Sequence, residues 1–207
     1  MVSTRQRILT ATTELFRRNG YHATSVKQVV TAAEAPFGSL YHSFPGGKEE
    51  LAEAVIETSG RTYGELFALI YDAASDPPSA ITDFFDGAAA VLEETDYLDI
   101  CPIGTVALEV ASTNERLRQA TDRVFADWTD LAAQRLTAAG IGRRKARELA
   151  TTLVAALQGA FMLSRAAHSP EPVRTTGRMM RGLVDEALRD VRTRAGSGSR
   201  RRPPPRR

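Results

Sequence analysis

Apolar residues recur at helical spacing along most of this chain, and this periodicity limits the fold more than any other feature. In the clearest case, Val26, Val29, Val30 and Ala33 occupy positions i, i+3, i+4 and i+7 of one segment, a pattern that places them on one face of an α-helix. No stretch shows a convincing alternation of apolar and polar residues, and no internal repeat is visible. We therefore expect an all-α protein of about nine helices.

Glycine and proline divide the apolar patterns and give approximate bounds to the helices. The first helix stops at Asn19 and Gly20, and Pro36 opens the third, where the missing N–H of proline costs nothing. "PGG" precedes one long helix and "SDPPS" precedes the next. After the second helix, at 26–33, and the short third one, the predicted helices cover residues 48–71, 80–94, 104–111, 114–139, 143–168 and 172–193.

The totals limit the class of protein. The 207 residues allow one large domain or a small domain joined to a larger one, and an apolar fraction of 43% is enough for a sizeable core. Cys101 is the only cysteine, so no intrachain disulfide can form and a reducing compartment is expected. No run of eighteen apolar residues exists, and the N-terminus lacks the apolar core of a secretion signal. We expect a cytoplasmic protein that does not span a membrane.

Charge divides the chain into unequal parts. Residues 1–48 carry six basic and two acidic side chains, whereas residues 49–191 carry 14 basic and 23 acidic ones. The last sixteen residues hold seven arginines and no acid. A basic head on an acidic body indicates that the head meets a polyanion.

The end of the chain, "GSGSRRRPPPRR", cannot bury apolar surface. Residues 195–207 are therefore predicted to be a disordered Arg/Pro-rich tail, which is either solvated or a nonspecific contact to DNA.

The first fifty residues have the organisation of a helix-turn-helix unit with a supporting first helix. A helix and a break are followed by a short capped helix, a three-residue turn and another short helix. Ser25 and Gln28 have the spacing of a capping box at the start of the second helix. Tyr41 and His42, beside Phe44 and just before a glycine turn, make a poor core but suit the edge of a DNA duplex.

The stretch "ILTATTELFRRNGYHATSVKQVVTAAEAPFGSLYHSFPGGKEEL" resembles the DNA-binding domain of the TetR family of transcriptional regulators. The resemblance extends over about residues 5–55 and rests on "LF…NGY", "TSV", "GSLY" and "F…KEEL" at matching spacings. The turn "FPGGKEEL" and the later "CPIGTVALEVAS" resemble a smaller branch, the lincomycin-resistance-repressor-like regulators.

The family resemblance implies a homodimer whose chains each have two domains. Residues 1–48 would form a three-helix DNA-binding domain, here called the reader, and residues 49–194 a helical domain, here called the body. The body would hold a pocket for a small hydrophobic effector and the dimer interface. The reader's partner would be double-stranded DNA with a pseudo-palindromic operator, and neither a cofactor nor a metal is implied.

The resemblance also assigns roles to residues of the reader. Ser25 corresponds to the residue that caps the second helix and touches phosphate. Tyr41 and Lys48 correspond to phosphate-binding positions, and His42 to a position that often reaches bases or backbone. Hydroxyls and helix N-termini donate to phosphate oxygens, which supports these roles. The expected DNA-binding residues are Ser25, Lys27, Pro36, Phe37, Gly38, Ser39, Tyr41, His42 and Lys48.

Three positions depart from the family pattern. Phe37 stands where lysine or arginine is common, Ser43 where histidine is frequent, and Glu34 where the turn usually has glycine. Phe37 belongs either to the core or to a contact with thymine methyl groups. These departures concern the target sequence and the affinity for DNA, whereas the fold is unaffected.

Aromatic residues on separate helices of the body are either plain core or the walls of an aromatic pocket. Cys101 is expected to be structural or pocket-lining. The alternative, a redox sensor, lacks a basic neighbour in the sequence that would favour the thiolate. The predicted pocket residues are Phe67, Phe85, Cys101, Trp128, Phe161 and Met162.

The last helix carries an apolar stripe whose partner is either the chain's own core or the same helix of a second copy. Small residues within 155–160 of the preceding helix would allow close backbone approach, and the family favours a four-helix dimer interface. The predicted interface residues are Leu153, Leu157, Met180, Leu183, Val184 and Leu188.

The leading hypothesis is a ligand-responsive DNA-binding transcriptional regulator, a repressor released from its operator by a hydrophobic small molecule. An enzyme has little support, because His22, His42 and His168 lack metal-ligand spacing and "FPGGKEE" is not a phosphate loop. A third hypothesis is a helical module whose reader no longer binds DNA, given the three departures described above.

Overall fold

The computed structural model describes residues 2–98 and 100–198, and this part of the chain forms nine α-helices joined by short loops, with no strand. The helices are α1 (Thr4–Asn19), α2 (Val26–Ala32), α3 (Phe37–Ser43), α4 (Gly47–Ala73), α5 (Pro77–Glu94), α6 (Pro102–Val110), α7 (Glu115–Ala138), α8 (Arg143–Ala167) and α9 (Glu171–Gly198). The prediction of an all-α fold with about nine helices is confirmed.

Side-chain caps decide where several helices begin. The Asp76 carboxylate accepts a hydrogen bond from the Ser79 N–H at 2.8 Å, so α5 starts at Pro77, three residues before the predicted start. Proline is tolerated in a first helical turn because its missing N–H would have no partner there. Cys101 occupies the same capping position before α6, where its Sγ accepts from the Gly104 N–H at 3.5 Å.

The last helix is longer than its pattern indicated. The predicted end lay near residue 193, but α9 continues to Gly198. The predicted disorder of residues 195–207 stays a prediction. Residues 199–207 lie outside the described residues.

Two hydrophobic clusters organise the molecule. The first joins α1–α3 to the N-terminal half of α4, to α6 and to α7, and includes Ile8, Phe16, Leu40 and Phe44. The second joins the C-terminal half of α4 to α5, α7, α8 and α9. Because the first cluster crosses from α3 into α4 and α6, the reader shares a core with the body. The predicted domain boundary at residues 48 and 49 stays a prediction.

Candidate DNA interface, effector cavity and dimer face

The turn between α2 and α3 is set by local hydrogen bonds. The Ser25 hydroxyl accepts from the Gln28 N–H at 3.2 Å, and the Gln28 side chain accepts from the Ser25 N–H at 2.7 Å. This reciprocal pair is the capping box that the sequence predicts. Arg7 of α1 donates to the carbonyls of Ala33 and Glu34 at 3.1 and 3.4 Å, and so holds the turn against the supporting helix.

Glu34 occupies a backbone conformation that favours glycine. Its φ of +49° lies in the left-handed region, where a Cβ crowds the following carbonyl at a cost of about 1–2 kcal/mol. The glycine that the family usually carries at this position would avoid that cost. The departure noted in the sequence therefore has a structural consequence, a strained turn directly before the recognition helix.

The outward surface of α3 carries the predicted DNA-contacting side chains. Leu40 and Phe44 are fully buried and anchor α3 to the reader core. Phe37 and Tyr41, one helical turn apart, are 56% and 47% exposed, and their rings lie 5.9 Å apart. Phe37 is therefore not part of the core, which removes one of its two interpretations. Five further predicted contact residues are exposed: Ser25, Lys27, Pro36, Gly38 and His42. Ser39 is half-buried.

Lys48 is placed close to this surface and is held in position. Its Nζ lies 4.3 Å from the centre of the Tyr21 ring, a cation–π contact. Partial burial lowers the pKa of the Lys48 ammonium, an effect that the Glu109 carboxylate opposes. The preceding residue, Gly47, has a φ of +67°, and a Cβ there would lie 3.4 Å from the Tyr41 ring. The Tyr41 ring therefore lies next to Gly47, the residue before Lys48, at the α3–α4 junction.

Glu109, near the end of α6, connects the body to the reader. Its carboxylate accepts from the backbone N–H groups of Tyr21 and His22 at 3.0 and 2.7 Å. The φ of +82° at Gly20 favours glycine, and a Cβ there would have to displace the Glu109 carboxylate from its position. The loop between α1 and α2 thus rests on one acidic side chain of α6, a residue that sequence reasoning missed. The only signal was its place within "CPIGTVALEVAS".

A cavity of about 340 Å³ lies within the body between α4, α5, α7 and α8, at the lower end of the size range of small-molecule sites. Four of the predicted pocket residues line it: Phe67, Cys101, Trp128 and Phe161. The Trp128 indole N–H donates to the Gly60 carbonyl at 2.7 Å, which fixes the orientation of the ring. Most of the remaining wall is apolar.

Two predicted pocket residues, Phe85 and Met162, do not line this cavity, whereas the residue before each of them does. Phe85 is fully buried against Gly177 of α9, whereas its neighbour Phe84 lines the cavity. Met162 is exposed on the outside of α8, whereas its neighbour Phe161 lines the cavity. Consecutive residues of an α-helix point about 100° apart, and in each of these two pairs the second residue points away from the cavity.

The polar groups near the start of α6 are few. Burial raises the pKa of the Cys101 thiol, and the N–H groups of Gly104 and Ile103, together with the Gln158 side chain, partly offset this effect. A thiol that is buried and protonated is a poor nucleophile, so the geometry does not favour a redox sensor. Gln158 and Arg17 also line the cavity, and Arg17 is its one reader residue in the described part of the chain.

Most of the predicted dimer-interface residues are buried within one protomer. Leu153 and Leu157 line the cavity, and Met180 and Val184 belong to the second cluster. Leu188 packs partly on that cluster, and Leu183 alone is exposed, at 36%. The stripe along α9 therefore faces the protomer's own core, and the place of these residues in a dimer interface stays a prediction.

A different apolar face on α8 and α9 is exposed. It consists of Leu163, Met179 and Leu183, together with Gly159 and Gly182, around whose Cα atoms there is open space. We call these five residues the α8–α9 face. In the described part of the chain, α8 is the one helix long and apolar enough to cross a membrane by length and composition, although 33% of its most apolar stretch is buried in the protomer. Core helices of soluble proteins meet the same criterion.

No group of three or more histidine, cysteine or acidic side chains that could hold a metal ion occurs among the described residues.

The comparisons with known proteins agree with this geometry. A family model described as "Bacterial regulatory proteins, tetR family" matches residues 8–55, and one described as "Transcriptional regulator LmrA/YxaF-like, C-terminal domain" matches residues 77–179. The HTH-type transcriptional regulator YxaF of Bacillus subtilis is 37% identical over 160 residues, which cover 77% of this chain and 84% of YxaF. LmrA of the same organism is 31% identical over 169 residues, which cover 82% and 90%.

Solved structures show the same fold. The regulatory protein TetR from Rhodobacter sphaeroides superimposes with a TM-score of 0.79 at 21% identity, over 87% of this chain and 98% of that one. Escherichia coli NemR in its reduced form gives a TM-score of 0.75 at 21% identity, over 86% and 94%.

These matches, with the reader described above, define a helix-turn-helix transcriptional regulator. The chain belongs to the TetR family of bacterial DNA-binding regulators, and its C-terminal domain to the LmrA/YxaF-like branch. Its relatives are regulators and not enzymes, as the sequence led us to expect.

Proposed function

We propose that this regulator is a cytoplasmic homodimeric repressor, which a hydrophobic small molecule bound in the cavity releases from a pseudo-palindromic operator. One observation carries the proposal. The cavity is lined by Cys101, which caps the start of α6, and the end of the same helix holds the reader through Glu109. A nine-residue helix therefore connects the proposed effector site to the DNA-binding unit.

The chemistry of the α3 surface supports DNA binding. Tyr41, Ser25 and Lys48 would bind phosphate oxygens, which sets the affinity for DNA and its dependence on salt. His42 would reach the base edges, and Phe37, which is exposed and apolar, would contact thymine methyl groups. Two such surfaces, about 34–36 Å apart in a dimer, would enter successive major grooves.

The α8–α9 face supports the dimer. Leu163 and Met179 are 62% and 65% exposed, and exposed apolar surface of this kind gains stability when a partner covers it. Gly159 and Gly182 leave room for close backbone approach because nothing lies within 4 Å of a Cβ built at either. A second copy, presenting the same face by two-fold symmetry, would form a four-helix interface.

Release would follow from unequal affinity of the effector for two arrangements of the dimer. An effector that widens the cavity would displace the start of α6, and Glu109 would carry the displacement to the loop at Tyr21 and His22. The two α3 helices would then lose the spacing that the operator requires. Only a difference in affinity between the two arrangements can produce this effect.

The test is a shift assay on fragments of the genome that encodes the chain, including the region upstream of its own gene. We expect the wild-type protein to retain a small set of fragments and the double variant Tyr41→Ala, Lys48→Ala to retain none. Because Tyr41 is exposed and Lys48 is only half-buried, that variant should keep its fold, which circular dichroism would verify. If the wild-type protein retains no more DNA than the variant does, the reader does not bind an operator and the proposal is wrong.

A further inference from the structure

The cavity of the body opens to solvent between α4 and α5. Each of these helices contributes four lining residues at the spacing i, i+3, i+4 and i+7, which is one face of a helix. They are Tyr63, Leu66, Phe67 and Ile70 on α4, and Phe84, Gly87, Ala88 and Val91 on α5. Of all the described residues that line the cavity, only Leu66, Gly87 and Val91 are exposed. We call these three residues the mouth.

The residues of the mouth come from opposite sides of the opening. Helices α4 and α5 are joined by a short loop, residues 74–76, and therefore run antiparallel. Phe67 of α4 meets Phe84 of α5 edge-on, with ring centres 5.0 Å apart. Positions that precede Phe67 on α4 therefore lie opposite positions that follow Phe84 on α5. Leu66 is thus placed across from Gly87 and Val91, and the pair of phenylalanine rings closes the cavity beside the mouth.

Gly87 keeps the mouth unobstructed. Glycine is unfavourable inside a helix, and neither a positive φ nor a close contact requires it at this position of α5. Nothing lies within 4 Å of a Cβ built at Gly87. Because this residue belongs to the face of α5 that lines the cavity, a larger side chain here would stand in the opening between the two helices.

The two side chains of the mouth are apolar and incompletely covered. Leu66 and Val91 are 45% and 49% exposed, and leaving such surface in water is unfavourable. A ligand contained wholly within the cavity would leave both exposed. A longer ligand, with one end in the mouth, would cover them and would gain affinity from the added apolar contact.

From these observations we propose that the effector enters through the mouth and is an elongated apolar molecule, one end of which stays in the mouth against Leu66 and Val91. Gly87 then determines how long the effector can be, because it has no side chain to block that end. The inference rests on the proposed function, because it concerns the same cavity. It adds the shape of the effector and its route of entry.

The test uses two uncharged fluorescent probes of different shape. Diphenylhexatriene is a rigid rod, and N-phenyl-1-naphthylamine is compact. Binding is followed by energy transfer from Trp128, the only tryptophan of the chain, which lines the cavity. Equilibrium titration gives the affinities and stopped flow gives the rates, for the wild type and for Gly87→Leu, whose side chain would fill the mouth.

Two variants serve as matched controls. Gly87→Ala makes the same change from glycine to a good helix former but adds only a methyl group. Ala126→Leu places the same leucine at an exposed position of α7 that does not line the cavity. Neither control should alter an affinity or a rate. Circular dichroism verifies that each variant is folded.

We expect Gly87→Leu to lower the affinity for the rod at least about tenfold, a loss that about 55 Å² of uncovered apolar surface would produce. The affinity for the compact probe should change less than about twofold, while its association and dissociation rates both fall at least about threefold, because the path is narrower and the bound state is the same. Val91→Phe, which enlarges another residue of the mouth, should reproduce these changes and decides the matter if Gly87→Leu does not fold.

The outcomes separate this inference from the proposed function. Equal losses of affinity for the two probes, or an unchanged affinity for the rod in a folded mouth variant, would overturn the proposed shape and leave an effector cavity intact. Unchanged rates for the compact probe would overturn the proposed route of entry. Failure of both probes to accept energy from Trp128 in the wild type would instead remove the effector site, and with it both proposals.

Discussion

Two surfaces of this protein expose large apolar side chains, and the residues around each surface differ. On α3, Phe37 and Tyr41 stand beside His42 and close to Lys48, so the apolar rings are surrounded by groups that donate hydrogen bonds or carry positive charge. On the α8–α9 face, the exposed side chains are aliphatic and lie among glycines. The first surface suits the mixed polar and apolar edge of a DNA duplex, and the second suits another pair of helices.

The difference shows that exposure alone does not identify a binding partner. Both surfaces would be costly to leave in water. The α3 surface offers a phenol hydroxyl and an imidazole to phosphate oxygens, whereas the glycines of the α8–α9 face leave room for close backbone approach. If this comparison is correct, a charge placed on one surface should not disturb the function of the other.

The largest expected effect is on the dimer. Leu183→Arg places a charge on the α8–α9 face, where burial against a second copy would leave it unpaired at a cost of several kcal/mol. We expect the wild type to sediment as a dimer at micromolar concentration and the variant as a monomer. Leu108→Arg, on an exposed position of α6, is the control and should remain a dimer. A wild-type monomer at that concentration would show that the α8–α9 face has no such partner.

A smaller effect is expected from the charge near α3. Lys48→Ala should remove about one phosphate contact per half-site, weaken binding to operator and random DNA alike, and reduce the slope of log affinity against log salt by about 1 per half-site. Phe37→Lys should do the opposite if a lysine there reaches phosphate. If Phe37 instead reads thymine methyl groups, the same change would weaken operator binding while strengthening random binding.

Salt titrations of both variants on operator and random duplexes measure these changes. Lys145→Ala, at an exposed position at the start of α8, is the control and should keep the wild-type slope. An unchanged slope for both Lys48→Ala and Phe37→Lys would mean that α3 does not face the DNA backbone in this way.

The smallest expected effect concerns the turn before α3. Glu34→Gly should relieve the strain of the positive φ and raise the free energy of unfolding by about 0.5–1 kcal/mol, after the greater chain entropy of glycine in the unfolded state is allowed for. The same substitution at Glu14, which is exposed within α1, should destabilise by up to about 1 kcal/mol. Denaturant unfolding at one fixed protein concentration compares the two. A loss of stability for Glu34→Gly would show that the turn is not strained.

The sequence predicted the helices and the capping box of the reader, but not which residues of the body face its core. The capping box of Ser25 and Gln28 and the exposure of Tyr41 follow from local spacing within short helices, where few alternative partners exist. In the body, helices are packed on more than one side, so a stripe has several possible partners. Phe84 and Phe85, or Met179 and Met180, are adjacent and similar in chemistry, and only the packing of α5, α8 and α9 decides which of each pair faces the core.

Glu109 could not have been identified from its own pattern. An acidic residue on a short helix is ordinarily solvated, and its role depends on a loop 87 and 88 residues away in the chain. The same holds for Arg17, whose place on the cavity wall depends on how α1 meets α8. Long-range contacts of this kind connect the two regions of the molecule, and local periodicity carries no information about them.

The central claim is that occupancy of the cavity changes the affinity for DNA through α6. The most direct measurement is operator affinity with and without 1-anilinonaphthalene-8-sulfonate, at concentrations where energy transfer from Trp128 shows that the cavity is filled. It is made for the wild type, for Glu109→Ala and for the exposed control Glu94→Ala. We predict that the filled cavity lowers operator affinity at least about tenfold in the wild type and the control, which is about 1.4 kcal/mol of coupling, and less than about twofold in Glu109→Ala. An operator affinity that stays the same in the wild type while the cavity is filled would contradict the account.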